Sequence, residues 1–247
     1  MEQREYHQMY EFENNYWWYK TLHNLVEKLV VNHNTTNKGA RIFDAGCGTG
    51  RMLELLNKFG DIEGIDCSEE AIYHAKKRGL LNVSIGDLND WSFAEETIDI
   101  LICLDVIYHT KIINDIGLLK SFHKALKKDG ILILNVPAFD VLMRQHDKVV
   151  STKRRYNRKV LVNELRVLGF NIELSTYRCP HLFLIILIKK AITKLLPFRR
   201  PSSDLKSIPS WINNLFIKLG TQENKFIMSN YRIPFGSSVF IVAKKEG

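Results

Sequence analysis

The fold is decided by the stretch Ile42-Phe43-Asp44-Ala45-Gly46-Cys47-Gly48-Thr49-Gly50, in which a short apolar run and an acidic residue precede three glycines at alternate positions. Asp66 ends the next short apolar run, 22 positions after Asp44. In nucleotide-binding folds, about 20 residues separate a glycine turn from a ribose-binding carboxylate on the next strand. Glycines let a ligand approach the backbone, and a carboxylate can accept hydrogen bonds from ribose hydroxyls. The pairing therefore predicts a nucleoside-binding site.

The spacing of the glycines argues against a dinucleotide. A pyrophosphate-binding turn reads G-x-G-x-x-G, and its third glycine allows close packing of helix on strand. Here the spacing is G-x-G-x-G, and Arg51 occupies the place of that third glycine. Asp44, just before the turn, suits a ligand with a positive group better than one with two phosphates. The pattern favours a nucleoside that carries a positive charge.

The segment 44–50 resembles the first motif of the class I S-adenosylmethionine-dependent methyltransferases. Further segments resemble later motifs of that family, in the right order: 64–68, 86–88, 104–109 and 126–136. The resemblance implies S-adenosyl-L-methionine as cofactor and S-adenosyl-L-homocysteine as product. It implies that Asp66 binds the ribose, that Asp87 meets the adenine amino group and that Leu88 covers the ring. The cofactor-binding residues that it implies are Asp44, Gly46, Cys47, Gly48, Gly50, Asp66, Cys67, Asp87, Leu88 and Leu104.

Strand and helix patterns alternate along the chain, which favours an α/β fold with a mostly parallel, doubly wound sheet. Short apolar runs predict buried strands at 41–45, 61–66, 82–86, 98–104 and 131–136, with helices at 50–59, 68–78, 113–128 and 158–168. Two more strands are expected at 170–177 and 237–244. The resemblance implies a seven-stranded Rossmann-like methyltransferase fold whose last two strands are antiparallel. A helical insertion before the last strand would fill the gap between them.

The domain layout expected from these elements is a core with two additions. Residues 1–40 would form an amino-terminal helical lid, 41–178 and 235–247 the methyltransferase core, and 179–234 a helical cap within the same domain. The aromatic block 11–20 resembles an H-W-W-F/Y-x-x-R segment of a bacterial subset of the family, with Tyr16 where histidine is usual. It would either cover the cofactor, with Lys20 near the methionine carboxylate, or fix a helix to the core by aromatic burial.

Candidate catalytic residues follow the fourth and fifth strands. Loops beyond the carboxyl ends of parallel strands bind ligands in open α/β sheets. His146 and Asp147 would form an oriented base, because a carboxylate fixes the tautomer of the imidazole. A hydrogen bond that only orders the loop is the alternative. His109, at the end of the fourth strand, is the second candidate base.

Arg154, Arg155 and Tyr156 are the candidate acceptor-binding residues. An R-R-Y triplet before a helix recurs in the resembling subset of the family. Two guanidinium groups can bind an anionic acceptor such as a phosphate or carboxylate. The alternative is a solvated helix start.

Composition narrows the setting of the protein. Its four cysteines, Cys47, Cys67, Cys103 and Cys179, are scattered and form no C-x-x-C pair. We therefore expect no disulfide framework and no metal site, and a cytoplasmic location. The amino terminus has no signal-peptide pattern, and no apolar run approaches the roughly 18 residues of a membrane span.

Residues 181–200 combine an apolar block with the basic residues Lys189, Lys190, Lys194, Arg199 and Arg200. Such a segment can lie in a membrane interface, where its cations are drawn to anionic lipid, and the net charge of +8 is compatible with this. The alternative is a core or dimer helix with a basic end. A peripheral membrane contact is therefore one of two expectations, and the oligomeric state is left open.

The function expected first is methyl transfer to oxygen or nitrogen of a small-molecule, sugar or lipid-linked glycan acceptor. The alternatives are a nucleic-acid methyltransferase and a non-catalytic protein that binds the cofactor. Amino-methylating DNA enzymes carry an N/D-P-P-Y/F motif after the fourth strand, whereas this chain has Asp105-Val106-Ile107-Tyr108 there. No dedicated RNA-binding module is evident either, so no nucleic-acid partner is expected.

Overall fold

A computed structural model describes residues 3–33, 39–144, 147, 149–193 and 208–246 of the chain. The described residues form a seven-stranded sheet in the order β3-β2-β1-β4-β5-β7-β6. Its strands are β1 (Ala40–Ala45), β2 (Gly60–Asp66), β3 (Val83–Ile85), β4 (Ile98–Leu104), β5 (Leu126–Pro137), β6 (Phe170–Arg178) and β7 (Ser238–Lys245).

The sheet is parallel except at β7, which pairs antiparallel with both β5 and β6. The chain reverses its direction of winding at β1, where β2 lies on one side and β4 on the other. In open α/β sheets, ligands bind outside the carboxyl ends of the strands at such a switch point. The predicted fold class, with its antiparallel last pair of strands, is confirmed.

Helices cover both faces of the sheet. The core helices are α3 (Arg51–Leu56), α4 (Glu69–Lys77), α5 (Asp115–Ala125) and α6 (Arg158–Val167). Helices α5 and α6 bury Leu119, Phe122 and Leu165 on one face. The first turn of α4 is capped as expected, because the Ser68 hydroxyl accepts a hydrogen bond from the Ala71 amide at 3.4 Å.

The fifth strand begins earlier than predicted, and the helix before it is correspondingly shorter. Leu126 already has an extended backbone and pairs with Ile98, so it ends α5 and begins β5. The register shifts between Ile98 and Ile100, and Asp129 takes a φ of 65° within the irregular stretch. The strand is therefore irregular between Leu126 and Ile131.

The longer described helices outside the core are α1 (Gln3–Phe12), α2 (Trp17–His33), α7 (Pro180–Thr193) and α8 (Ser210–Met228). Helix α8 packs on α2, where the Asn224 side chain donates to the Thr21 carbonyl at 2.8 Å and Gly220 leaves room for the Thr21 side chain. None of the described helices has both the length and the apolar character needed to cross a bilayer.

Candidate active site

A cavity of about 500 Å³ opens at the carboxyl ends of the parallel strands, under α1, α2, α7 and α8. Its wall brings together almost all the cofactor residues expected from the sequence: Asp44, Gly46, Cys47, Gly48, Asp66, Cys67, Asp87, Leu88 and Leu104. The volume and position are typical of a small-molecule site. The candidate site is therefore one compartment formed by elements far apart in the chain.

The glycine turn has the backbone shape that its sequence predicts. Gly46, Gly48 and Gly50 have φ values of 87°, 53° and 82°, in the left-handed region that favours glycine. A side chain at Gly46 would lie 2.4 Å from the Val106 side chain, so this glycine also allows a close approach of two loops. Gly50 does not line the cavity; it makes room for Leu80, and its role is packing.

The Asp66 carboxylate receives hydrogen bonds from three donors. The backbone amides of Gly48 and Ser68 each donate to it at 3.0 Å, and the Tyr6 hydroxyl of α1 donates at 3.2 Å. Burial raises the pKa of Asp66, and these donors oppose that shift. The two amides thus fix the orientation of the carboxylate, and the Tyr6 hydroxyl occupies one of its oxygens.

Asp44 lies deeper in the same wall and is almost completely buried. Burial, with a smaller contribution from the Asp66 charge, raises the pKa of Asp44 to about 7. A buried carboxylate with a raised pKa is stabilised by any positive group that enters the cavity. The site therefore fits a nucleoside with a cationic tail.

One rim of the cavity, near Asp87 and Leu88, has side chains suited to a nucleobase. Leu88 is buried in the wall, while the exposed Asp87 carboxylate accepts from the Asn89 backbone amide at 2.9 Å and from its side-chain nitrogen at 2.6 Å. Nearby, the Lys111 ammonium donates to the Cys67 sulfur at 3.6 Å. An apolar side chain and an acceptor at one rim are what an adenine ring with its amino group requires.

The start of the chain is fixed beside the glycine turn. Glu13 pairs with Arg78 at 2.6 Å and accepts a hydrogen bond from the Thr49 hydroxyl, and both charged side chains are buried. Tyr10 stacks on His74 with the ring centroids 4.4 Å apart. Lys20 is exposed and is absent from the cavity wall, so it is not placed to meet a methionine carboxylate.

The residues Tyr16, Trp17, Trp18 and Tyr19 of the aromatic block all line the cavity. The block therefore borders the cavity and also packs on neighbouring helices. The centroid of the Trp17 ring lies 5.0 Å from that of Phe216 in α8 and 5.7 Å from that of His181 in α7.

The structure gives Asp147 a partner other than the one expected. Its carboxylate accepts from Nε of Arg155 at 2.8 Å, lies 2.8 Å from Nη2 of that residue, and accepts from the Arg144 amide at 2.9 Å. Arg155 also donates to the Ala138 carbonyl at 3.0 Å. This buried pair orders the loop after β5, and the Arg155 charge is already balanced before any anion binds. His146 lies outside the described residues.

Arg154 and Tyr156 are directed away from the cavity. The Tyr156 hydroxyl donates to the Asp115 carboxylate at 2.7 Å, and Arg154 pairs with the same carboxylate. Tyr156 belongs to the hydrophobic core under α5 and α6. Neither side chain lines the cavity, so their contacts do not support the predicted role in acceptor binding.

His109 lines the cavity but has the properties of a neutral, weakly basic imidazole. Burial lowers its pKa to about 4, and the nearby Lys111 charge acts in the same direction. Its Nδ1 accepts a hydrogen bond from the Lys111 amide at 3.1 Å, which places the proton of the neutral ring on Nε2. This hydrogen bond would have to break before Nδ1 could take a proton from an acceptor.

Asp105 lines the cavity and is not among the site residues predicted from the sequence. It follows β4 directly and has a φ of 59°, a strained value for a residue with a side chain. Asn135 fixes it twice, because the Asp105 amide donates to the Asn135 carbonyl at 2.8 Å and the Asn135 side chain donates to the carboxylate at 2.9 Å. Burial raises the pKa of Asp105 to about 6, opposed by Asn135, Arg178 and Arg155.

Groups that surround Asp105 also come from distant parts of the chain. Tyr19 and Tyr108 line the same part of the cavity, and burial raises the pKa of both phenols, so their hydroxyl groups stay protonated. Arg178 at the end of β6 is completely buried. Its Nε lies 3.7 Å from Glu223, and its guanidinium nitrogens make no hydrogen bond to any described residue. This buried cation contributes to the potential at Asp105.

The remaining wall of the cavity is apolar. Leu182, Ile185 and Ile186 come from α7, and Phe216 comes from α8. The cavity thus has two unlike halves. One half carries the glycine turn and Asp66 and is matched to a nucleoside. The other half joins a fixed carboxylate, Asp105, to an apolar compartment.

Comparison with known families identifies most of the core. A family model described as a methyltransferase domain matches residues 17–173, more than half of the chain. The dTDP-3-amino-3,4,6-trideoxy-alpha-D-glucopyranose N,N-dimethyltransferase of Streptomyces venezuelae is 28% identical over 103 residues, covering 40% of this chain and 43% of the relative. A ubiquinone biosynthesis O-methyltransferase of Coxiella burnetii is 32% identical over 106 residues, covering 38% and 45%. The matched segment thus spans under half the length of each of these two relatives.

Solved structures share the fold over almost the whole chain. The S-adenosylmethionine-dependent methyltransferase of Archaeoglobus fulgidus superposes with a TM-score of 0.57 at 20% identity, covering 90% of this chain and 94% of the other. A similar protein of Mesorhizobium loti gives a TM-score of 0.56 at 16% identity, covering 88% and 96%. At this level of identity the likeness concerns the fold.

Proposed function

Because the chain belongs to the methyltransferase-domain family, among the class I S-adenosylmethionine-dependent enzymes, we propose that it methylates a small-molecule acceptor. The observation that carries the proposal is the two-part cavity. A nucleoside seat with a buried carboxylate for a cationic tail adjoins a second compartment that contains Asp105 and apolar side chains. A cofactor and an acceptor can therefore meet within one enclosed space.

The cofactor half explains how the chain would hold S-adenosylmethionine, which supplies an electrophilic methyl group when bound. Asp66, oriented by the amides of Gly48 and Ser68, would accept hydrogen bonds from the ribose. Asp44 would face positive charge, which restores its carboxylate to the ionised form. The Tyr6 hydroxyl occupies one acceptor site on Asp66 that a ribose hydroxyl would use, so we propose that α1 shifts when the ribose binds and that it acts as part of the amino-terminal lid.

The acceptor half would align the acceptor with the methyl group and provide a side chain that accepts the acceptor's proton. Holding two reacting groups in line can lower a barrier by on the order of 7–11 kcal/mol, so positioning is the main task of this half. Asp105 is the group we propose to accept the proton of a hydroxyl or ammonium acceptor. Its pKa of about 6 leaves it ionised at neutral pH and close to the range in which proton transfer is efficient. His146 stays a candidate from the sequence.

The composition of the second compartment supports the acceptor class that we propose. A carboxylate next to phenol hydroxyls suits a hydroxyl or amine, whereas the apolar side chains of α7 and α8 suit a hydrophobic portion of the same molecule. The names of the relatives support oxygen or nitrogen as the methylated atom, since one is named for an amino sugar and the other for ubiquinone biosynthesis. We therefore propose a sugar, a lipid-linked glycan or another small amphiphilic acceptor, with 179–234 acting as the cap over it.

The proposal is tested by binding and turnover on the intact chain. Calorimetry should show saturable binding of S-adenosylmethionine. Asp66→Asn should weaken it about ten- to hundredfold, because hydrogen bonds to a charged group contribute roughly 1.5–3 kcal/mol. Asp61→Asn, an exposed position of the same strand, is the matched control and should bind normally.

Turnover is then measured with a panel of sugars, amines, carboxylates and polyprenyl-linked glycans, and mass spectrometry detects the gain of a methyl group. Methylation of at least one member is the expected result. Tight binding of a nicotinamide dinucleotide instead of S-adenosylmethionine would contradict the proposal.

A further inference from the structure

Helix α7 exposes an apolar stripe on the side away from the cavity. Leu184, Ile188 and Ile192 follow one another at four-residue spacing, which places them on one helix face. Their exposed fractions lie between 49% and 60%. The opposite face carries Leu182 and Ile186, which line the cavity. The helix is therefore apolar on two sides, and only one side is covered by the described part of the chain.

Helix α8 repeats this arrangement. Trp211, Leu215 and Leu219 also follow one another at four-residue spacing, and their exposed fractions lie between 42% and 70%. Trp211 is the most exposed of the three and lies at the first turn of the helix. Tryptophan is the residue that favours the boundary between lipid and water, because its ring is apolar and its indole nitrogen is a donor.

The exposed charged side chains of α7 and α8 are all basic. Helix α7 contains no acidic residue, and the only one in α8, Glu223, is buried against Arg178. The basic residues of these helices include the exposed Lys218 and Lys225. With the net charge of +8 for the whole chain, this surface is complementary to a negatively charged one.

We propose that the outer faces of α7 and α8 dock together on an anionic lipid bilayer. Exposed leucine, isoleucine and tryptophan side chains with basic neighbours and without acidic ones are the properties of an interfacial helix. The membrane contact expected from residues 181–200 is thereby extended to a second helix, 210–228. Residues 194–207, between the two helices, lie outside the described part of the chain.

Docking in this way would bring the acceptor half of the cavity next to the bilayer. The two helices meet where the His181 and Phe216 rings stack 5.3 Å apart, and Leu182, Ile185 and Phe216 continue this contact into the cavity wall. An acceptor with a lipid tail could then reach Asp105 without leaving the membrane entirely. This last step rests on the proposed function, whereas the docking itself does not.

The test is sedimentation of the intact chain with vesicles. Vesicles of phosphatidylcholine with phosphatidylglycerol should bind the protein, added salt should weaken binding, and vesicles of phosphatidylcholine alone should bind less. The double variants Leu184→Ser with Ile188→Ser, and Trp211→Ser with Leu215→Ser, should each weaken binding at least about tenfold, because each removes apolar area that would enter the interface. Leu81→Ser with Val167→Ser, exposed apolar positions elsewhere, should change nothing.

A variant that removes one positive charge tests the electrostatic contribution to vesicle binding. Lys218→Ala should weaken binding to the anionic vesicles by roughly fivefold, the effect of one basic residue near a charged membrane. Lys120→Ala, on the exposed side of α5, is its control and should bind like the unaltered protein. Equal losses in both would show that only net charge matters and would overturn docking through α7 and α8.

Two further outcomes would also overturn the proposal. One is failure of the unaltered protein to bind anionic vesicles. The other is a concentration-dependent dimer in sedimentation velocity that the α7 and α8 variants dissociate, since a second copy would then cover these faces. Calorimetry with S-adenosylmethionine on the same samples separates this result from the proposed function: vesicle binding can be lost while cofactor binding is kept, and the reverse.

Discussion

The two halves of the cavity are built in different ways. The cofactor half uses short consecutive segments at the tips of β1, β2 and β3, and its key interactions involve backbone amides and glycines. The half that contains Asp105 depends on side chains that are far apart in sequence, because Asn135 fixes the Asp105 carboxylate and the buried Arg178, beside Glu223, acts on its charge. A site made of local turns can be read from motifs, whereas a site made of distant side chains depends on the whole fold.

The largest expected effect lies in the acceptor half. Asp105→Asn should lower turnover roughly 10²–10⁴-fold, the usual contribution of a positioned base, while the dissociation constant of S-adenosylmethionine stays the same. Asp99→Asn, at the start of the same strand and outside the cavity, is the control. Steady-state kinetics with calorimetry measure both quantities. Loss of cofactor binding in the Asp105 variant would show that Asp105 also supports the cofactor, and it would contradict the division of the cavity into two halves.

The same carboxylate predicts the pH dependence of turnover. Asp105 must be ionised to accept a proton, and its pKa is raised to about 6. Activity should therefore rise between about pH 5 and pH 7 and then level off. A profile governed by His109, whose pKa is lowered to about 4, would already be level at pH 5. Initial rates measured across this range, with the protein shown to remain folded, decide between the two residues.

In the cofactor half, we expect a substitution in the glycine turn to destabilise the fold through the backbone. In Gly46→Ala the new methyl group would lie 2.4 Å from the Val106 side chain at a φ of 87°, so both overpacking and strain are expected. Together they should lower the free energy of unfolding by roughly 2–5 kcal/mol. Gly79→Ala is a matched control, because its φ is 83° but no atom lies within 4 Å of the added carbon. Urea unfolding should show only the strain contribution, about 1–2 kcal/mol, in the control.

Stability without cofactor should fall as the pH rises from about 4 to about 7. The pKa of Asp44 is raised to about 7 by burial, so in this range the folded state binds a proton that the unfolded state has released. Asp44→Asn should remove much of this slope, a difference on the order of 2–4 kcal/mol across the range. Addition of S-adenosylmethionine should flatten it as well, because a cationic tail favours the carboxylate. Urea titrations at several pH values measure the slope, and a slope unchanged in the variant would contradict the assignment.

The smallest expected effect concerns the contact between α1 and the nucleoside seat. Tyr6→Phe removes the hydroxyl that occupies Asp66, so S-adenosylmethionine should bind more tightly, by up to about tenfold. Tyr73→Phe, an exposed tyrosine of α4, is the control. Weaker binding in the Tyr6 variant would mean that this hydroxyl assists the cofactor, and α1 would then be part of the bound state.

The sequence predicts the cofactor half well because strand periodicity and glycine geometry are local properties. The seven predicted strands and the antiparallel last pair agree with the structure, and the residues expected to bind the nucleoside, except Gly50, lie in one cavity wall. The predicted boundary between α5 and β5 lies too far along the chain, because Leu126 already pairs with Ile98 and the irregular stretch around Asp129 belongs to the strand.

The roles of charged side chains are harder to predict from the sequence, because they depend on hydrogen-bond and ion-pair partners that only the fold brings close. Asp147 pairs with Arg155, and Arg154 and Tyr156 both contact Asp115, so charged residues expected at an acceptor became supports of a loop. Asp105 was present in a recognised motif, and its position at the end of a buried strand was the signal that could have identified it. Nothing local marks Arg178, whose surroundings come from β7, α2 and α8.

The central claim is that a nucleoside with a cationic tail lies across the tips of β1, β2 and β3, with Asp105 on its acceptor side. A crystal structure of the chain with S-adenosylhomocysteine tests it most directly. We expect both ribose hydroxyls on Asp66, the adenine against Leu88, the Tyr6 hydroxyl displaced, and the sulfur atom facing Asp105. Binding of the ligand elsewhere, or a ribose that leaves the Tyr6–Asp66 hydrogen bond in place, would contradict the account.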